Sequence, residues 1–335
     1  MANGGKYWAG FDLGGTKMRV AVFNDAFRPV ASAEGKTRGF KGVRNGVKRM
    51  EDLLDEAWAA ARSRKPGARL AGVGLACPGP VKNETGVIRE MPNVGWSNVP
   101  LAKTFANAIG VPVVAINDVD AGTYGEYRFG AGRGGRCVVG VFPGTGVGGG
   151  CVWRGELLVG AEWSALEIGH FPVMPRGPLC GCGQCGCLEA VSSRLAIAQA
   201  AAAAAYRGEA PHLLAEAGTD IQRIRSKALA QSIAAGDVAV ERIVRDAAGW
   251  IGVGVAALVN LLAPDIVVLG GGLVDAMPQL YREEVEAAAR KRVMRSYRQA
   301  FRISVARLGD NAAIVGAAAW AERMAGERSR RKRPK

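Results

Sequence analysis

Residues 7–23, YWAGFDLGGTKMRVAVF, decide the fold class. Residues 7–11 and 18–23 have the apolar and β-branched character of buried strands, and DLGGTK at 12–17 joins them. A glycine-rich turn between two strands is a hairpin, whereas the dinucleotide fingerprint and the Walker A loop each lead from a strand into a helix. The adjacent Gly14 and Gly15 let backbone N–H groups approach a phosphate closely, and Thr16 adds a hydroxyl. Asp12, at the end of the first strand, is positioned to hold Mg²⁺ directly or through water. The alternative is an ordinary glycine-rich hairpin with no ligand.

Outward from this hairpin, strands and helices alternate, which predicts an α/β lobe. Helical spacing runs over 45–64 and stops before Pro66-Gly67; an apolar strand covers 70–76, a helix 99–109 and a strand 111–116. That strand ends in Asn117-Asp118, and in such sheets polar residues just past a strand face the ligand crevice. Asp118 there suits a base that takes a proton from an attacking hydroxyl, with Asn117 orienting the same group. The competing assignment is an N-cap for the helix at 119–127.

A second strand–glycine–strand unit follows: a strand at 137–142, then FPGTGVGGG at 142–150, then a strand at 151–153. It echoes the first, GTG against GGT, and two such hairpins predict a duplicated fold that clamps a nucleotide between lobes. Further helices are expected at 192–206 and on to 235, at 238–262, 278–292 and 311–325, with strands at 265–269 and 301–305. His212 falls near a helix start and receives no role. Gly270-Gly271-Gly272 forms a third glycine turn, either against the flat face of an adenosine or as a tight strand–helix connection.

The densest chemistry lies at 167–189, EIGHFPVMPRGPLCGCGQCGCLE, which holds four of the seven cysteines and one of the two histidines. Thiolates and imidazole are the ligands zinc favours, usually four in a tetrahedron. Cys180, Cys182 and Cys187 with His170 make one such set; Cys185 is a fifth candidate, so an all-cysteine site is also open. Gly181, Gly183 and Gly186 let the loop bend tightly. A disulfide is disfavoured in a chain without a secretory signal, and four free thiols in eight residues would be an oxidation liability.

At 335 residues the chain exceeds the size of a single core, so two lobes are expected. With 49% apolar and 22% charged residues it has the composition of a globular protein. The N-terminal residues lack a signal-peptide pattern, and the apolar region 250–274 is interrupted by Asn260, Pro264 and Asp265, which predicts a cytoplasmic protein with no membrane partner. The net charge of +14 is concentrated partly in the last nine residues, ERSRRKRPK, expected to be a solvated disordered tail with weak polyanion contact as the alternative.

These motifs, in this order and from Asp12 to about Ala325, resemble the ROK family of sugar kinases and sugar-responsive repressors, within the actin-like ATPase superfamily. The most specific part is ExGH, here Glu167 to His170, followed by CxCGxxGCxE, here Cys180 to Glu189. The resemblance implies a two-lobed actin-like ATPase (ribonuclease H-like) fold, with a smaller lobe at 1–117, a larger one at 118–310, the last helix at 311–325 packing back on the first, and the basic tail at 326–335. It implies a structural zinc on His170, Cys180, Cys182 and Cys187, with Cys185 at a variable position. Asp118 becomes the catalytic base, and Asn117, Glu167, His170 and Glu189 become partners of sugar hydroxyls. Asp12, Gly14, Gly15, Thr16 and Lys17, then Gly144, Thr145 and Gly146, then Gly270 to Gly272, match the nucleotide motifs, with Mg²⁺ tentatively on Asp12.

The implied activity is ATP-dependent phosphorylation of a hexose at its 6-hydroxyl. Glucose comes first, with N-acetylglucosamine, N-acetylmannosamine, fructose and allose as alternatives. A homodimer or homotetramer is the family expectation. A repressor is disfavoured because the first strand begins at Tyr7, with no helix-turn-helix before it, so no specific nucleic acid is expected; an inactive sugar binder is disfavoured because every catalytic motif is present. One departure stands out: Phe142-Pro143 precedes Gly144 where an aliphatic residue is usual.

Overall fold

The computed structural model describes residues 5–37, 42–91 and 94–331. The chain forms two α/β units. The first runs to Arg133 and takes back Glu156–Ala165 and the chain from Asp310; the second comprises Gly134–Gly155 and Leu166–Gly309.

The first unit is built on a five-stranded sheet in the order Pro29–Lys36, Lys17–Phe23, Lys6–Leu13, Arg69–Cys77, Val113–Asn117. The first three are antiparallel neighbours and the last three are parallel. Strand residues alternate between faces. Tyr7, Ala9, Phe11 and Leu13 enter a core with Met50, Leu53 and Leu54 of the helix Gly42–Arg64 and Phe105 of the helix Leu101–Ile109. Phe11 and Phe105 meet edge to face at 5.6 Å. On the opposite face the C-terminal helix Ala312–Arg331 lies so close that a Cβ on Gly10 or Gly74 would run into its backbone. The same helix crosses Asp118–Phe129 through Gly316, where a Cβ would meet the Ala121 carbonyl.

That crossing explains a difference from the sequence-based boundary. A division at 117/118 assigns the helix Asp118–Phe129 to the second lobe, yet it packs on Ala312–Arg331 and belongs to the first unit. The C-terminal helix also runs to Arg331 rather than 325, so residues 326–331 of the expected disordered tail are helical; residues 332–335 lie outside the described residues. Two further corrections are local. The helix expected from 99 starts at Leu101, and Val99 closes the strand Trp96–Val99, because the residue before Pro100 is pushed into extended backbone. The strands Val81–Lys82, Val87–Met91 and Trp96–Val99 form a small sheet that no sequence period revealed.

The second unit repeats the scheme. Cys137–Pro143 and Val147–Trp153 form an antiparallel hairpin, Ile266–Leu269 adds parallel to Cys137–Pro143, and Arg302–Val305 adds parallel to Ile266–Leu269. Both units thus show a hairpin extended by two parallel strands, as a duplicated fold requires. The helix expected at 192–206 is two helices, Leu188–Ser192 and Arg194–Tyr206, parted by an extended Ser193 whose hydroxyl accepts the Ala196 N–H. Val238–Leu262 ends where expected, at a left-handed Ala263 before Pro264. This helix is long and apolar enough to cross a membrane, but more than half of its apolar window is buried within the protein, the behaviour of a core helix.

Candidate active site

In the first unit the carboxyl ends of three parallel strands bring the chemistry together. Asp12 pairs in register with Ala76, and Cys77 with Asn117, so Asp12, Cys77 and Asn117-Asp118 occupy one edge of the sheet. Burial lifts the Asp12 carboxyl above its ordinary pKa; the Arg19 guanidinium opposes this and Asp310 adds to it. Burial likewise pushes the Cys77 thiol well up, and the nearby Asp118 and Asp12 carboxylates add to the effect. A fully buried, protonated thiol therefore lies beside the two acids and takes no charge of its own.

Asn117 and Asp118 both accept N–H groups at the start of the helix Asp118–Phe129. Asn117 is the helix cap: its Oδ1 accepts the N–H groups of Val119 (2.8 Å) and Asp120 (3.2 Å), while its Nδ2 donates to the Gly79 carbonyl at 3.1 Å. Asp118 is the first helical residue, partly exposed, and its Oδ1 accepts the Val119 N–H at 2.9 Å. The first glycine turn is braced by Thr37, whose N–H donates to the Thr16 carbonyl and whose hydroxyl donates to that of Gly14. Lys17 extends sideways, 2.5 Å from Glu34 on the neighbouring strand.

In the second unit the hairpin Cys137–Pro143 and Val147–Trp153 closes over three residues, with the Gly144 N–H donating to the Gly146 carbonyl at 2.8 Å. Glu189, on the helix Leu188–Ser192, packs its carboxylate where a Cβ on Gly146 would be, and accepts the Val147 N–H at 2.9 Å. The third glycine turn lies alongside: Gly271 has φ +84°, and Gly270 sits flat against the Phe142 ring. The unusual Phe142 thus fills the space between the second and third turns. Sequence alone gave no hint of that contact, nor of Arg194, whose Nη2 reaches the Thr145 hydroxyl at 3.3 Å.

Glu167 precedes the short 3₁₀ turn Ile168–His170, and the His170 N–H donates to the Glu167 carbonyl at 3.0 Å. The Leu188 N–H donates to the Phe171 carbonyl, so this turn and the helix carrying Glu189 are joined directly. The donor atoms of His170, Cys180, Cys182 and Cys187 all lie within 4.8 Å of one another. Cys182 and Cys187 sulfurs are 3.7 Å apart, and the Cys180 sulfur is 3.6 Å from His170 Nδ1. A tetrahedral ion with metal–sulfur bonds of about 2.3 Å and a metal–nitrogen bond of about 2.0–2.1 Å needs separations of about 3.8 and 3.5 Å, so the donor set fits.

Cys185 is not among these four converging donors, so the set that comes together includes the histidine. Burial and the neighbouring thiols push Cys187 up to about 12, so it ionises only beside a compensating cation. Of the loop glycines, Gly183 and Gly186 have positive φ and Gly186 also abuts the Met174 carbonyl, whereas Gly181 is under neither constraint.

Two α/β units of like topology, each opening on a glycine hairpin, with acids at the strand ends of one and a Cys₃His cluster in the other, are the fold of a two-lobed α/β sugar kinase. The ROK family profile matches residues 8–324, and the chain belongs to that family. It is 32% identical to the glucokinase of Halalkalibacterium halodurans over 93% of this chain and 93% of that protein. The ROK family glucokinase from Streptomyces griseus, solved in complex with glucose and AMPPNP, is 31% identical with a TM-score of 0.80, covering 95% of this chain and 99% of that one. The ROK hexokinase from Thermus thermophilus is 33% identical, also at 0.80, over 96% and 99%.

Proposed function

We propose that this protein is an ATP-dependent hexose kinase that transfers the terminal phosphoryl group of ATP to the 6-hydroxyl of glucose in the cytoplasm. The observation that carries the base assignment is the division of labour at Asn117-Asp118. Asn117 makes the cap bonds to Val119 and Asp120 and the anchor to Gly79, and Asp118, which shares only the Val119 N–H, keeps a partly exposed carboxylate at the same end of the sheet as Asp12. The activity that its relatives are named for supports glucose as the first substrate.

Phosphoryl transfer needs positioning and charge neutralisation more than covalent help. The Gly14, Gly15 and Thr16 turn and the Gly144, Thr145 and Gly146 turn offer backbone N–H groups and hydroxyls to the donor phosphates. Gly270, Gly271 and Gly272 offer a flat backbone surface to the adenosine. Asp118 takes the proton of the attacking hydroxyl, a role that contributes roughly 10²–10⁴-fold. Asp12, a partly buried carboxylate, would hold Mg²⁺, which neutralises phosphate charge when bound.

His170, Cys180, Cys182 and Cys187 would hold Zn²⁺ with no position open for water or substrate, so that site shapes the loop and does no chemistry. With Nδ1 of His170 turned to the cluster, its Nε2 is left to donate to a sugar hydroxyl, beside Glu167 and Glu189 as acceptors.

The test is ADP release from Mg-ATP with glucose, N-acetylglucosamine, N-acetylmannosamine, fructose and allose offered separately. Turnover fastest on glucose and lost in Asp118→Ala is expected. Turnover fastest on another sugar would replace glucose, and none on any would overturn the kinase.

A further inference from the structure

Arg194 in the second unit stands at the Gly-Thr-Gly turn and has no assigned role, and Arg225 contributes positive charge near it. Arg194 opens the helix Arg194–Tyr206; its N–H donates to the Gly144 carbonyl at 2.8 Å and its guanidinium to the Thr145 hydroxyl at 3.3 Å. Arg225 immediately precedes the helix Ser226–Ala234, and Ser226 lies against Gly272 of the third glycine turn. Burial first, and then the positive charge of Arg225, press Arg194 below the usual arginine pKa.

Three other arginines of this unit offer a contrast. Arg207, Arg245 and Arg290 are each paired to a glutamate. Among the described residues no carboxylate pairs with Arg194 or Arg225. Bringing two cations together costs free energy unless an anion lies between them, and a guanidinium fork matches phosphate oxygens in geometry. The anion this pair suits is therefore polyvalent and bound at the 144–146 turn.

We propose that Arg194, seconded by Arg225, is a specificity-determining residue for the phosphoryl donor, gripping its phosphate chain at the Gly144-Thr145-Gly146 turn. This deepens the kinase reading and rests on it. The pair makes the donor site respond to the number of phosphates rather than to the nucleoside.

The experiment compares wild type with Arg194→Gln and Arg194→Lys, with inorganic tripolyphosphate and adenosine as separate inhibitors competing with Mg-ATP. Losing one charge-assisted contact should raise the KM for Mg-ATP and the Ki for tripolyphosphate together, by about tenfold to a hundredfold. The Ki for adenosine and the KM for glucose should stay unchanged, and the lysine variant should recover part of the loss. An unchanged KM for Mg-ATP in an active Arg194→Gln enzyme overturns the proposal. So does equal weakening of adenosine and tripolyphosphate, which would mean a distorted turn. If wild type turns over no ATP the kinase reading fails instead, and calorimetric binding of tripolyphosphate to wild type but not to Arg194→Gln still decides the clamp.

Discussion

Glu189 Oε2 accepts the N–H of Val147 at 2.9 Å, and this one bond ties the helix beside the cysteine–histidine loop to the second glycine hairpin. A residue proposed to meet the sugar thus also holds the Gly144–Gly146 turn in place. Glu189→Ala leaves the partly buried Val147 N–H unmet, which costs about 1–3 kcal/mol. The variant should melt at lower temperature and show raised KM values for both glucose and Mg-ATP. Glu189→Gln keeps an acceptor oxygen, so it should restore the melting temperature and the Mg-ATP KM while leaving the glucose KM high. If both variants behave alike, the carboxylate does not support the hairpin.

The neighbouring residues Asn117 and Asp118 should separate stability from chemistry. Asn117→Ala removes a cap over two N–H groups and the anchor to Gly79, at about 0.5–2 kcal/mol for the cap alone. Asp118→Asn retains an oxygen for the Val119 N–H, so its denaturation midpoint should match wild type while kcat falls roughly 10²–10⁴-fold. A strongly destabilised Asp118→Asn protein would make Asp118 a structural cap instead.

What could be read from sequence was what is local. Both hairpins announce themselves because glycine turns sit between apolar runs, and the Cys₃His set because its donors fall within eighteen residues. The small sheet was illegible because its strands are two to five residues long, too short for a period to register. Arg194 was illegible for another reason: its partner Thr145 is 49 residues away, and nothing in SSRLA marks a contact at that distance. The extent of the last helix was hidden by charge, since a run of arginines reads as solvated tail whether or not its backbone is helical.

Asp237 sets an acid limit on the second unit. It is buried, and its carboxylate accepts the N–H groups of Leu213 (2.8 Å) and His212 (3.3 Å) and the hydroxyl of Ser232 (2.7 Å). Burial alone would raise its pKa; these three donors outweigh that and hold it below the ordinary carboxylate value of 3.8. A lowered folded pKa means stability that is fully present above the unfolded value and lost as pH falls through the folded one. Asp237→Asn turns an amide N–H toward a donor, so it should lower the urea midpoint by a constant amount between pH 5 and 8, by roughly 1–3 kcal/mol in stability. That gap should narrow only below about pH 4. A gap that closes near neutral pH would rule Asp237 out as the group responsible.

The cluster itself makes the sharpest contrast between two adjacent thiols. Cys182 is one of the four converging donors and Cys185, three residues on, is not. Cys182→Ser leaves three donors in a loop that turns at Gly183 and Gly186, both at positive φ. Its zinc content should fall well below one per chain, its melting temperature should drop, and its glucose KM should rise because His170 loses its fixed orientation. Cys185→Ser should keep one zinc per chain, wild-type melting and wild-type KM, since that side chain is exposed and outside the set. Prolonged treatment of the wild type with a strong chelator should reproduce the Cys182→Ser behaviour. Full zinc in Cys182→Ser together with loss in Cys185→Ser would mean that the ion is held by a different set of sulfurs from the one that converges here.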